Sequence, residues 1–236
     1  MEDVVVLAGG TGTRLRPYTT VLPKPLMPVG DMPVLEILLR RLAAAGLQRV
    51  NLAVGHLAEL IEAYFGDGRR FGVELVYWRE DEPLGTAGPI AGMGLDGEQV
   101  LVMNGDLLTT LDFAPLLEEH RASGAAATIA VLPREVSIDF GVVRLEGDTV
   151  AAFEEKPVLS YNVSMGVYVF ERRVVELIPA GERFDFPDVL HAVLARGWPV
   201  HAHRFDDFWL DIGRREDYEL ALDSFAAVRD RLLPPG

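Results

Sequence analysis

The sequence predicts an α/β fold: three layers, α/β/α, built on a mixed, mostly parallel sheet to which an antiparallel accessory part is added. Three observations predict it. In the first half of the chain, short β-branched runs alternate with segments of helical apolar spacing, as parallel strands joined by crossover helices require. After Asp106 that alternation loosens, and Glu146-Gly147-Asp148 between two apolar runs gives a hairpin signal. The 236 residues are 49% hydrophobic and 25% charged, enough to bury a substantial core. No stretch has linker composition, a repeat period or low complexity. One domain over 1–236 is expected, with lobes of about 1–110 and 111–236 and a cleft between them.

The elements follow in order. Val4 to Leu7 reads as a buried strand feeding a long glycine- and proline-bearing loop, Ala8 to Gly30. From Pro33 to Ala45, Val34, Leu35, Ile37, Leu38, Leu42 and Ala45 fall at helical spacing, with Asp31 as the cap and Gly46 as the stop. Val50 to Val54 is a strand, Leu57 to Phe65 a helix, and Val73 to Trp78 and Val100 to Met103 two more strands. Beyond Asp106 come a helix near Phe113 to Arg121 and a strand at Ala127 to Leu132. The hairpin strands Gly141 to Leu145 and Val150 to Phe153 follow, then a strand at Met165 to Phe170. Helices at Val174 to Ile178 and Pro187 to Arg196, a strand at Val200 to Phe205 and a helix from Arg215 to about Arg231 complete the pattern.

Composition excludes several classes. Without cysteine there is no disulfide framework, zinc-thiolate site or thiol nucleophile, and a cytoplasmic home is expected. The opening Met1-Glu2-Asp3 puts acids where a signal peptide needs basic residues, and no apolar run approaches the roughly 18 to 20 residues of a membrane span. A net charge of −14 argues against nucleic-acid or anionic-lipid partners. All but two of the 22 basic residues are arginine, and both lysines, Lys24 and Lys156, precede proline. A compact ammonium differs from a planar guanidinium, which hints at two phosphate contacts. His201 and His203 alternate on one strand and are expected as an exposed pair rather than a metal site.

The loop after the first strand carries the chemistry. It reads Leu7-Ala8-Gly9-Gly10-Thr11-Gly12-Thr13-Arg14-Leu15-Arg16-Pro17, then Pro23-Lys24-Pro25. Its glycines let backbone N–H groups approach a phosphate, and Arg14, Arg16 and Lys24 supply charge. A dinucleotide fingerprint would need glycine at Leu15 and an acid ending the second strand, and a P-loop would need Gly-Lys-Ser/Thr; both are missing.

That run resembles the signature of the sugar-1-phosphate nucleotidyltransferases, or nucleotide-sugar pyrophosphorylases. The likeness extends through Glu82-Pro83-Leu84-Gly85-Thr86-Ala87-Gly88-Pro89, Asn104-Gly105-Asp106, Phe140-Gly141-Val142-Val143, Glu155-Lys156-Pro157 and Trp209-Leu210-Asp211-Ile212-Gly213. The resemblance implies the Rossmann-like nucleotide-diphospho-sugar transferase fold, with a nucleotide-binding first lobe and a sugar-phosphate-binding second lobe. It implies that a sugar-1-phosphate oxygen attacks the α-phosphorus of a nucleoside triphosphate and expels pyrophosphate. Asp106 and Asp211 would then hold Mg²⁺, a hard cation suited to oxygen ligands. Arg14, Lys24 and Asp106 would be the catalytic set: Arg14 braces the leaving pyrophosphate and Lys24 neutralises the α-phosphate.

The nucleotide would lie along Leu7, Ala8, Gly9, Gly10, Gly12, Thr13, Arg14, Lys24, Glu80, Gly85, Thr86 and Asp106. The sugar phosphate would meet Gly141, Glu155, Lys156, Ser164 and Asp211, with Lys156 on the phosphate and Glu155 on sugar hydroxyls. Where much of the family has Asn-Ala-Gly, this chain has Ser164-Met165-Gly166, which leaves the sugar open. Glu80 stands where uridylyl and thymidylyl members often carry glutamine. An ionised carboxylate only accepts hydrogen bonds and suits the N1–H and N2 donors of guanine, so GTP is favoured, with mannose-1-phosphate or a related hexose or heptose phosphate. Uridylyl or thymidylyl transfer is the alternative. A non-catalytic nucleotide-sugar sensor is a second alternative; it should have lost the charged positions that are all present here. The ending Leu232-Leu233-Pro234-Pro235-Gly236 leaves no room for the left-handed β-helix of many relatives, so any homodimer is expected to use this domain's own surfaces.

Overall fold

The computed structural model describes residues 2–80 and 82–233; Pro234-Pro235-Gly236 lies outside the described residues. The first half of the chain runs β1 (Glu2–Ala8), β2 (Pro28–Val29), β3 (Met32–Pro33), α1 (Val34–Ala44), β4 (Arg49–Val54), α2 (Ala58–Phe65), β5 (Glu74–Arg79), α3 (Gly88–Ala91) and β6 (Gln99–Asn104). It continues through β7 (Leu107–Thr109), α4 (Phe113–Ser123), β8 (Ala127–Ser137), β9 (Gly141–Glu146), β10 (Thr149–Glu155) and β11 (Val158–Glu171). The last elements are α5 (Arg172–Val175), α6 (Phe186–Ala195), β12 (Val200–Arg204), β13 (Trp209–Asp211) and α7 (Arg215–Leu232). No helix among the described residues is long and apolar enough to cross a membrane.

Seven strands form one sheet in the order β12-β8-β11-β6-β1-β4-β5. Strands β6, β1, β4 and β5 are parallel, β11 runs antiparallel to both β6 and β8, and β12 is parallel to β8. The strand period of two then builds the layers. Val4, Val6 and Ala8 of β1, with Leu101 and Met103 of β6, join the core beneath α1, α2 and α4. Val5, Val100 and Val102 face the other side, against α3, α5 and α6. Each fully buried Leu, Ile or Phe side chain here contributes about 1.5–3 kcal/mol.

A third apolar cluster lies outside α1. Tyr218, Ala221, Phe225 and Val228 of α7 pack on Val34 and Ile37 of α1 and on Leu15, Met27, Leu108 and Ile212. Covered by the sheet on one side and α7 on the other, α1 buries every residue from Val34 to Leu39. Glu36 is tolerated there because Arg40 and the Tyr64 hydroxyl both donate to its carboxylate at 2.9 Å.

Several expectations need correcting. Asp31 does not cap α1: the β2–β3 hairpin places it in a turn facing Arg229 at 3.5 Å, and Pro33 holds the N-cap position. The loop from Ala8 to Gly30 contains tight 3-10 turns at Thr13–Leu15, Tyr18–Thr20 and Lys24–Leu26. The elements β7, β13 and α3 are too short to show a period in sequence. The helix expected at Val174–Ile178 lies at Arg172–Val175. Strands β8 and β11 are longer than expected, because residues 131–137 and 158–164 pair beyond the end of β6 as a two-stranded arm. With both faces in solvent, that arm has no apolar alternation to betray it. Its register shifts between Ser164 and Tyr168, where Gly166 takes φ +71° and a Cβ would lie 2.6 Å from the Asn104 side chain.

Candidate active site

In an open α/β sheet the loops leaving neighbouring parallel strands on opposite sides open a crevice at their carboxyl ends. Here that point lies between β1, which connects towards β4, and β6. The first loop is sewn to both neighbours: Gly105 N–H donates to Leu7 O at 2.8 Å and His56 N–H to Gly9 O at 3.3 Å. A Cβ on Gly55 would lie 3.0 Å from Gly9 O, so a larger residue would have to push the two backbones apart by a few tenths of an ångström. Buried Leu15 anchors the turn that carries Arg14, and Thr19 Oγ1 donates to Gly12 O at 2.7 Å across its base. Lys24 sits at the start of a turn whose Pro25, Leu26 and Met27 are buried, which fixes its backbone.

A cavity of about 520 Å³ opens at this point. All twelve residues expected to hold the nucleotide line it: Leu7, Ala8, Gly9, Gly10, Gly12, Thr13, Arg14, Lys24, Glu80, Gly85, Thr86 and Asp106. Asp211 is brought to its edge by a ladder that the sequence conceals. The strand β13 pairs antiparallel with β7, Asp211 opposite Leu107, and Ile212 N–H donates to Asp106 O at 3.1 Å. Lys24 Nζ binds Asp106 Oδ2 and lies 3.7 Å from Asp211 Oδ1. A Cβ on Gly213 would be 3.3 Å from Asp211 Oδ1 and 3.6 Å from the Arg14 guanidinium, so Arg14 borders the same cluster.

Lys24 is ion-paired with both carboxylates, and Arg14 adds positive charge at the border. Oδ1 of Asp106 and Oδ1 of Asp211 are both buried without a hydrogen-bond partner, two of only four such side-chain atoms among the described residues. Burial and then the neighbouring Asp106 push the Asp211 carboxyl above the usual range, against the pull of Lys24 and Arg14. Such a pair fits a hard divalent cation that takes one or two carboxylates and completes its shell with phosphate oxygens and water. No cluster of three or more His, Asp or Glu side chains suited to a metal occurs among the described residues, so phosphate would have to supply further ligands.

The far wall comes from a segment that sequence reasoning missed. Arg183 and Asp185, just before α6, line the cavity with Asn104 and Pro89. Asp185 Oδ1 accepts Thr86 N–H at 2.8 Å and the Thr86 hydroxyl at 3.2 Å, while Phe184 O accepts Ala87 N–H and Gly88 N–H. The Asp185-Phe186-Pro187-Asp188 run is a capping signature and could have placed the helix start, yet it carries no sign of a partner 99 residues away. The Thr86 contact, helped by Arg183, holds the Asp185 carboxyl below its usual range. Glu80 Oε2 accepts Leu84 N–H at 2.9 Å, and burial pushes its carboxyl up against that bond.

Gly85 lies where the loop meets the α6 segment: it has φ +80°, and a Cβ would stand 2.7 Å from both Phe184 O and Asp185 Oδ1. Gly85→Ala should therefore cost about 1–3 kcal/mol of stability and weaken nucleoside triphosphate binding, read by thermal melting and equilibrium titration. Wild-type values in both would show that the loop is free of the α6 segment.

The sugar-phosphate set is only partly brought to the cavity. Gly141, Glu155 and Lys156 lie together at the open end of the β9–β10 hairpin, where Glu155 pairs with Gly141, and none lines the cavity. Lys156 has φ +45° and an exposed side chain. Ser164 is engaged by its own strand, its hydroxyl 2.9 Å from the Tyr168 hydroxyl, and Met165 beside it is fully buried. The histidines also differ from expectation. His203 is buried and His201 half-buried, because α4 packs over β12 and Glu119 Oε2 takes up His203 Nδ1 at 2.7 Å and His201 Nε2 at 3.4 Å.

Comparison with known proteins shows the family. The family model described as "Nucleotidyl transferase" matches residues 3–227. The mannose-1-phosphate guanylyltransferase of Mycobacterium tuberculosis is 40% identical over 223 residues, covering 92% of this chain and 62% of its own length. The UTP–glucose-1-phosphate uridylyltransferase of Synechocystis is 36% identical over 239 residues, again 92% of this chain and 62% of its own. This chain thus spans less than two thirds of either curated relative. Among solved structures, HddC from Yersinia pseudotuberculosis complexed with GMP-PN superposes with a TM-score of 0.74 at 27% identity, covering 95% of this chain and 100% of the other. The fold is that of nucleotide-diphospho-sugar transferases. The chain belongs to the nucleotidyl transferase family.

Proposed function

We propose that this protein transfers a nucleotidyl group from a nucleoside triphosphate to a sugar-1-phosphate, releasing pyrophosphate and forming a nucleotide-sugar. GTP and mannose-1-phosphate, or a related hexose or heptose phosphate, are its leading substrates. The single observation that carries this reading is the convergence of Arg14, Lys24 and two carboxylates with orphaned buried oxygens at the edge of a glycine-lined cavity. We read 1–236 as one catalytic domain, the first lobe holding nucleotide and the second the sugar phosphate, and place it in the cytoplasm on its cysteine-free composition.

In the proposed reaction a phosphate oxygen of the sugar-1-phosphate attacks the α-phosphorus in line, the new P–O bond forms, and the bond to the β-phosphate oxygen breaks with its electron pair leaving on pyrophosphate. The nucleophile is already ionised at neutral pH, so no side chain has to remove a proton. Backbone N–H groups of the Gly9–Thr13 turn are the donors nearest the phosphates, and Arg14 offsets charge building on the leaving group. Lys24, held between Asp106 and Asp211, places an ammonium beside the α-phosphate. Asp106 and Asp211 would hold Mg²⁺, which when bound offsets the negative charge of the two phosphorylated reactants. Lys156 and Glu155, carried on the hairpin, would receive the sugar phosphate. The presence of Arg14, Lys24, Asp106, Lys156 and Asp211 together supports an enzyme over a non-catalytic sensor.

The test is pyrophosphate release by the purified chain with Mg²⁺, across the common nucleoside triphosphates and several sugar-1-phosphates. GTP with mannose-1-phosphate should be turned over best. A clear preference for UTP or dTTP would favour the uridylyl or thymidylyl reading, and no release with any pair would remove the proposal. Within the same assay, Lys156→Ala should raise KM for the sugar-1-phosphate about tenfold or more while leaving triphosphate binding near wild type. The reverse pattern would exchange the roles of the two lysines.

A further inference from the structure

The phosphate end of the cavity is marked by Arg14, Lys24 and Asp106, so a triphosphate lying along it points its base towards the wall formed by Glu80, Gly85, Thr86 and Arg183. The polar groups on that wall are of opposite sign. Glu80 has one carboxylate oxygen on Leu84 N–H, while Oε1 faces the Gly9 backbone, 2.7 Å from where a Cβ on Gly9 would stand. Arg183 is 76% exposed in its side chain; its one ion pair among the described residues is with Asp185 Oδ2, at 3.6 Å. That contact engages one corner of the guanidinium and leaves the rest of its fork of donors available. Although the side chain is exposed, the backbone that follows it is held: Phe184 N–H donates to Leu84 O at 2.9 Å, Phe184 O accepts two N–H groups of the Thr86 loop, and Phe186 N–H donates to Thr86 Oγ1 at 3.0 Å. Arg183 is thereby tied to the same Leu84–Gly88 loop whose Leu84 N–H holds Glu80.

We propose that Arg183 and Glu80 bracket the base as an acceptor–donor pair that selects guanine, with Arg183 a specificity-determining residue and Asp185 the positioning residue that ties its segment to the Thr86 loop. This deepens the function proposed above and rests on the triphosphate lying along the cavity in that direction. The logic is one of matching. A carboxylate only accepts, and guanine offers it two donors, N1–H and the N2 amino group. A guanidinium only donates, and guanine offers it two acceptors, O6 and N7, in a geometry that suits a bidentate fork. Uracil and thymine satisfy half of the bracket, with N3–H for Glu80 and O4 for Arg183. Adenine and cytosine turn a ring-nitrogen lone pair towards the carboxylate, which repels it. The bracket therefore ranks guanine first, uracil and thymine second, and adenine and cytosine last.

The test separates base reading from catalysis by measuring equilibrium binding of the full chain to GTP, 7-deaza-GTP, which lacks the N7 acceptor, ITP, which lacks the N2 amino group, and UTP. Wild type should bind 7-deaza-GTP and ITP each about tenfold more weakly than GTP. Arg183→Ala should bind GTP about tenfold to a hundredfold more weakly and should no longer distinguish GTP from 7-deaza-GTP, while still distinguishing GTP from ITP. Arg183→Lys, which keeps the charge but not the fork, should likewise lose the 7-deaza discrimination. Because the side chain is exposed, neither variant threatens folding. An unchanged ratio of GTP to 7-deaza-GTP affinity in Arg183→Ala, or tighter binding of UTP than of GTP by wild type, overturns the bracket. Absence of pyrophosphate release with every substrate pair would instead strike the proposed reaction and leave these binding ratios to be read by themselves.

Discussion

Asp106→Asn is expected to lower turnover about 10²- to 10³-fold or more, while the protein remains folded. The substitution preserves the shape of a side chain only 17% exposed and removes the charge that faces Lys24 on one oxygen and no donor on the other. In the proposed reaction two phosphorylated reactants must meet, so loss of a carboxylate that holds the divalent cation acts on the transition state more than on ground-state binding. The signature should be a fall in kcat larger than any change in KM for either substrate, with half-saturation by Mg²⁺ moved to higher concentration. Turnover within threefold of wild type, at an unchanged Mg²⁺ requirement, would remove Asp106 from the site.

The convergence of the glycine-rich turn, Arg14 and Lys24 on one cavity is legible because they lie at short spacing, the pattern of the phosphate cradle proposed here, and short spacing survives in a sequence. Asp106 was legible as the residue at the end of a buried strand, where such sheets place their ligands. The resemblance in motif order added Asp211, but the physical means of joining the two acids is the β7–β13 ladder, three residues a side, below the length at which a period can be read. The Asp185–Thr86 tie was hidden for a related reason: each partner reads locally, one as a helix start and the other as a turn residue, and only the packing of α6 on the sheet makes them neighbours. His203 was expected in solvent because alternation assigns it a face but cannot say that α4 covers that face. The arm of β8 and β11 shows the limit of patterning most plainly. Hydrophobic alternation reports a strand with one wet and one dry face, and residues 131–137 and 158–164 extend past the core with neither face fully dry.

Lys24→Met should lower both activity and stability, in contrast to Asp106→Asn. Lys24 is 13% exposed and is the cation that links Asp106 to Asp211; a methionine keeps the stem but removes the ion pair with both carboxylates, leaving Arg14 at the border as the remaining cation that pulls on Asp211. Removing one partner of a buried pair costs about 3 kcal/mol, which for a chain of this size lowers the melting temperature by roughly 10 °C. The pH dependence follows from the direction of the Asp211 shift. Its folded carboxyl is already raised by burial and by Asp106, and Lys24 is a group that pulls it down, so the variant raises it further. A carboxyl raised in the folded state carries its penalty fully at pH values above that folded range, and the penalty fades as pH falls through it and the group takes up a proton. The gap between wild type and Lys24→Met should therefore be widest near neutral pH and narrow as the medium is acidified through the raised Asp211 range. Mg²⁺ should also narrow it, because a divalent cation between the carboxylates replaces part of the lost positive charge and stabilises the variant more than the wild type. Equal melting temperatures at neutral pH without Mg²⁺ would mean that the lysine does not balance the two acids, and a gap that widens on acidification would show that the sign of the Asp211 shift is wrong.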